Sequence, residues 1–132
     1  MTKLFRARRA LILAVAFAAC SNDPTVPPDQ AAGTYVLQSV SGRGPASGTF
    51  TLTADGRADR QARYTLQGSP FDQHLIGSFR IDGQQIAFNL VPSDASASFF
   101  WPVTGQWLGS EFTITYPDPA DGPDIVERYR KQ

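Results

Sequence analysis

Cysteine occurs once in this chain of 132 residues, histidine once, and methionine only at the first position. A lone cysteine excludes an intramolecular disulfide framework and a four-thiolate zinc site. The single histidine, His74, confines any Ser–His or Cys–His chemistry to one ring, with Asp72 as the nearby carboxylate to orient it. No Gly-x-Ser-x-Gly turn accompanies it, and the plainer reading is a surface histidine near a strand start. No apolar run approaches the ~20 residues that a membrane-spanning helix needs. Basic and acidic side chains balance at twelve each, so the positive surplus of a nucleic-acid binder is missing. Helical stripes are missing as well: after residue 33 no window repeats its apolar residues at a spacing of 3.6 between caps. These absences point to a non-enzymatic protein with no cofactor, no metal and no nucleic-acid partner.

What is present begins with an export pattern. Lys3, Arg6, Arg8 and Arg9 form a basic start, and Ala10 to Ala19 is an uncharged apolar run. Two processing readings compete. Ala16-Phe17-Ala18 fits the small-x-small pattern of ordinary signal peptidase, which releases a soluble protein. Phe17-Ala18-Ala19-Cys20 resembles the lipobox of bacterial lipoproteins, and the chain's one cysteine falls where the apolar run stops. An exported cysteine without a partner calls for another explanation, and acylation supplies it. That resemblance implies a diacylglycerol thioether on Cys20, with ~0.8 kcal/mol of membrane affinity per buried methylene. It also implies sorting to the outer membrane, facing the periplasm, because Ser21 stands where a retention signal often shows Asp. Removal of residues 1–19 takes away four basic residues and no acidic ones, leaving a mildly acidic mature chain.

Residues 20–32 then read as the lipidated cysteine and a flexible tether, with three prolines and few hydrophobic side chains. Residues 33–132 read as one all-β domain. Thr49-Phe50-Thr51-Leu52-Thr53 and Phe112-Thr113-Ile114-Thr115-Tyr116 alternate strictly, and Asp82-Gly83 marks a tight hairpin whose central residues need positive φ. The expected strands are 34–41, 48–54, 60–67, 74–81, 85–91, 97–101, 103–108, 111–116 and 125–130, with Pro102 interrupting the sixth and seventh or bending them as one strand. Eight or nine short strands with tight connections predict a small antiparallel up-and-down meander, closed or nearly closed into a barrel, with a flattened sandwich as the alternative.

Gly33-Thr34-Tyr35 on the first strand resembles the Gly-x-Trp opening of lipocalins and related calycin barrels, with Tyr35 in the place of Trp. Those barrels set a basic residue of the last strand over that aromatic. The resemblance therefore implies a barrel-closing contact of Tyr35 with Arg128 or Arg130, a cation–π pair worth ~0.5–2 kcal/mol. Fatty-acid-binding relatives hold a carboxylate with an Arg-x-Tyr triplet. Here the order is Arg128-Tyr129-Arg130, and that role does not carry over.

Ten aromatics from Tyr35 to Tyr129 recur at inward positions, enough to fill a small barrel or to line a cavity for one lipophilic ligand. Phe99-Phe100-Trp101 puts aromatics on both faces and predicts an exposed contact patch at Phe100. Asp118, Asp121 and Asp124 share a Gly- and Pro-containing loop, which reads as a solvated connection more readily than as a calcium site. The reading is a lipid-anchored envelope protein whose lipocalin-like barrel binds a small apolar ligand or serves as an envelope component. The alternative is a periplasmic protein-interaction module, an adaptor or inhibitor. The membrane, through Cys20, is the expected partner in either case.

Overall fold

The computed structural model describes residues 24–94 and 101–132. They form a single antiparallel sheet of nine strands, with one helical turn before the second. The elements are β1 (Thr25–Val26), α1 (Pro28–Ala31), β2 (Gly33–Ser41), β3 (Ser47–Leu52), β4 (Arg57–Leu66), β5 (Ser69–Asp82), β6 (Gln85–Pro92), β7 (Trp101–Gln106), β8 (Glu111–Tyr116) and β9 (Ile125–Lys131). Each of β2 to β9 pairs with the next, and β9 returns to pair with β2. Eight strands therefore close into an up-and-down barrel, and the flattened sandwich does not occur. Closure gives every strand of the cycle a partner on each side.

Period-two alternation builds the wall. In β6, Ile86, Phe88 and Leu90 turn inward and are buried, while Gln85, Asn89 and Val91 face out. In β3 and β8 the same spacing turns Phe50, Leu52, Phe112 and Ile114 inward. One end of the barrel is filled by rings in contact. Phe50 lies 4.7 Å from Phe88, 4.9 Å from Tyr129 and 5.3 Å from Phe112, centroid to centroid, and Tyr35 lies 5.1 Å from Phe112. These tilted and edge-on contacts are the favoured aromatic geometries.

That end is also sealed, which corrects the expectation of a loose tether through residue 32. β1 pairs with the last residues of β5, Thr25 with Asp82 and Val26 with Ile81, where β4 has already stopped. The Gly83 amide donates to the Pro24 carbonyl at 2.7 Å. α1 then lays Ala31 into the core, and the buried Tyr35 hydroxyl donates to the Ala31 carbonyl at 2.7 Å. From Pro24 onward the segment belongs to the barrel.

One further expectation shifts. The β5–β6 loop is Gly83-Gln84, with positive φ at Gly83 alone, and the paired-positive turn instead falls at Gln67-Gly68 between β4 and β5. Pro102 lies inside β7, opposite Asn89 of β6. The expected strand 97–101 lies outside the described residues except for Trp101.

Candidate functional site

The unsealed end has a different interior. On β4, Ala58, Arg60, Ala62 and Tyr64 share the inward phase, so Arg60 enters the barrel by simple alternation. On β9 the inward residues are Ile125, Glu127 and Tyr129. Arg60 and Glu127 reach each other from different walls and are both fully buried. The Arg60 Nη2 donates to Glu127 Oε1 at 3.1 Å and to Oε2 at 3.0 Å. It also donates to the Tyr64 hydroxyl at 3.2 Å, while Nη1 donates to Gln73 Oε1 at 2.8 Å. The Tyr129 hydroxyl donates to Glu127 Oε1 at 2.5 Å, and the Tyr116 hydroxyl donates to Oε2.

A buried ion pair survives only when most of its remaining donors and lone pairs are satisfied. Here three donors surround the carboxylate, and among the described residues the guanidinium keeps one buried nitrogen, Nε, without a partner. The Trp101 ring covers Arg60, with the guanidinium carbon 5.0 Å from its centroid, and meets Tyr116 edge-on at 4.8 Å. Burial alone would pull the Arg60 pKa down. Tyr129 and Glu127 outweigh that effect and hold it above the ordinary value. Burial raises the pKa of Tyr116, reinforced by Glu127, and burial likewise raises that of Tyr129.

Beside this network lies a cleft of about 610 Å³, lined by Tyr64, Gln73, Trp101, Val103 and Tyr116, by the prolines Pro102, Pro117 and Pro119, and by the exposed Thr104 and Thr115. The wall itself opens it. β7 and β8 share one register pair, Thr104 with Thr115, and a bridge of Trp107 to Phe112 nearer the sealed end. Beyond Thr104, toward the mouth, Trp101 to Val103 pair with β6 alone among the described residues. The β4–β5 hairpin overhangs the same rim. Its last partners are Ser47 of β3, opposite Arg63, and Pro92 of β6, opposite Leu75. On that overhang Tyr64 stacks with Phe71 at 5.0 Å, and Phe71 is 42 % exposed.

The residues singled out from sequence are distributed differently. Cys20, Phe99 and Phe100 lie outside the described residues, and Trp101 of the expected contact patch turns toward Arg60. Tyr35 does not meet Arg128 or Arg130. Arg128 faces out and pairs with Glu111 at 3.3 Å, and Arg130 is exposed. The cation near Tyr35 is Lys131, 6.0 Å from the ring centroid, because its side of the strand follows Tyr129 by two residues. His74 pairs with Asp59 at 3.0 Å on the outer wall, and Asp72 binds Arg63 at 2.8 Å instead of orienting the imidazole. Asp118 is buried and accepts from the Ala120 amide at 3.0 Å, forming a turn within the loop. Among the described residues no group of three or more His, Cys, Asp or Glu side chains is placed to hold a metal ion.

Arg60, Gln73 and Glu127 are the site residues that the sequence reading missed. Their signal was available: a charge in phase with buried neighbours on β4, and an opposite charge in phase with Ile125 and Tyr129 on β9. Charges at inward positions are rare unless paired. No protein-family model, curated protein or solved structure matches this chain. The eight-strand closed barrel is compatible with a lipocalin-like fold, and that likeness rests on architecture.

Proposed function

We propose that this protein is a lipid-anchored component of the bacterial cell envelope whose barrel mouth binds a small, largely apolar molecule. One observation carries the binding half. A cleft of about 610 Å³, walled by aromatic rings and prolines with Gln73, Thr104 and Thr115 among them, lies within the usual size range of small-molecule sites. The lower barrel is packed with rings, so the ligand sits at the mouth and not in a central cavity. The anchoring half rests on Cys20 at the end of the apolar run. Pro24 joins the barrel at its sealed end, so an anchor at Cys20 turns that end to the bilayer and the cleft away from it. On this reading the outer membrane, on its periplasmic side, is the address. The role is binding without catalysis, since His74 lies on the outer wall, apart from the cleft.

Each half has its own test. The Cys20→Ser protein is expected to leave the membrane fraction of its host, and persistence there overturns the anchor. An uncharged dye such as Nile red is expected to bind the folded protein saturably, with one equivalent bound. Thr104→Trp, which fills the cleft from an exposed lining position, is expected to abolish that binding. Binding that does not saturate, or that ignores the filled cleft, overturns the ligand site.

A further inference from the structure

We propose that the cleft selects an uncharged ligand, an apolar body bearing one hydrogen-bond acceptor, and that the acceptor docks on the amide nitrogen of Gln73. This inference rests on the ligand-binding reading above and narrows it to a chemical class. The buried pair has already committed its terminal donors and acceptors. Arg60 directs Nη2 at both oxygens of Glu127 and at Tyr64, and Nη1 at Gln73. Glu127 in turn receives Arg60, Tyr116 and Tyr129. The two charges are compensated before any ligand arrives.

An incoming carboxylate would lose water, approach Glu127 and find both terminal nitrogens of Arg60 taken, while the remaining Nε is buried and closed to it. An ammonium would find the carboxylate already surrounded by three donors. Either ion meets the cost of burying a charge without a partner. A neutral molecule meets no such cost, and the apolar walls of Trp101, Val103 and Tyr116 favour its body.

Gln73 supplies the directional contact. A guanidinium only donates, so the amide oxygen must face Arg60, and this fixes which way the group is turned. Its nitrogen, with two N–H donors, is directed away from that contact and meets no acceptor among the described residues. Gln73 is half-buried and lines the cleft beside Tyr64. A ligand carbonyl or ether oxygen would use this donor, on a residue that lines the cleft, whereas the leftover Arg60 Nε is buried.

The test uses three molecules that share one body: methyl decanoate, decanoic acid and decylamine. Calorimetric titration of the exported Cys20→Ser protein at neutral pH is expected to rank the ester at least about tenfold above either ion. Gln73→Leu is expected to weaken the ester about fivefold and leave the acid unchanged. Glu127→Gln, which releases Arg60, is expected to reverse the ranking in favour of the acid. An acid that binds the unaltered cleft as tightly as the ester, or an ester indifferent to Gln73→Leu, overturns the neutral-ligand inference while the binding site stands. Failure of all three to bind removes the binding site itself.

Discussion

Arg60 illustrates how a single side chain can be both a liability and a fixture. Its guanidinium has no exposed surface, and its charge is tolerated because Glu127, Gln73 and Tyr64 all accept from it. Removing one partner of such a pair strands the other, which typically costs ~3–5 kcal/mol, whereas replacing both by apolar groups of similar volume is close to neutral. Glu127→Ala is therefore expected to lower the urea midpoint by an amount equivalent to ~3–5 kcal/mol, and the Arg60→Met/Glu127→Leu double variant to recover most of it. The buried tyrosines set a second expectation. Burial lifts Tyr35 from 10.0 to about 12, and lifts Tyr116 and Tyr129 further. Folded phenols thus hold their protons after unfolded ones have ionised. Their contribution to stability is complete below pH 10 and is lost as pH rises through 12 and above. Thermal melts across that window are expected to fall steeply with pH, in step with phenolate absorbance. Tyr35→Phe would shift the onset if its own proton takes part.

At the scale of elements, what periodicity could reveal was legible. β8 spans Glu111–Tyr116, the range its strict alternation predicts, and β2, β6 and β9 fall within a residue of expectation. β1 and α1 were invisible for a physical reason. Two residues of strand and four of helix are too short to show a period, and the prolines around them read as disorder. β5 proved longer than expected, Ser69–Asp82 against 74–81. Its first residues, among them Ser69, Pro70 and Asp72, lack the alternation that marked the rest. They are held instead by the turn at Gln67-Gly68, with φ of 52° and 83°. A left-handed conformation costs an ordinary side chain roughly 1–2 kcal/mol, and Asn tolerates it far better. Gln67→Asn is expected to raise the urea midpoint by the equivalent of ~0.5–1 kcal/mol with no change in denaturant slope. No change would mean that the overhanging hairpin contributes nothing to global unfolding, and a loss that Gln67 is held by contacts Asn cannot make.

Across the whole molecule the barrel is divided, packed rings at one end and a buried polar network beside an open cleft at the other. The division was only half visible in the sequence. Aromatics on most strands announced a filled interior or a ring-lined cavity, but which end they filled depended on register, and register is a property of paired strands. The sealing segment has the same origin, because its worth appears only once Tyr35 and β5 are in place. A chain beginning at Gly33 is expected to be less stable than one beginning at Pro24 by roughly 2 kcal/mol or more. It loses the Tyr35–Ala31 hydrogen bond, ~1 kcal/mol, and uncovers the apolar surface under Ala31 and Val26. Equal midpoints for the two would show the segment to be ornamental.

The attachment of Pro24 to the barrel also sets a length. From Cys20 to Pro24 the backbone can stretch to about 14 Å, against roughly 45 Å had the chain been free as far as Gly33. With Cys20 acylated as proposed, the barrel is moored almost flush with the lipid and cannot swing across to an opposing membrane. Such a protein is no ferry: whatever it holds must be handed over and collected at one surface.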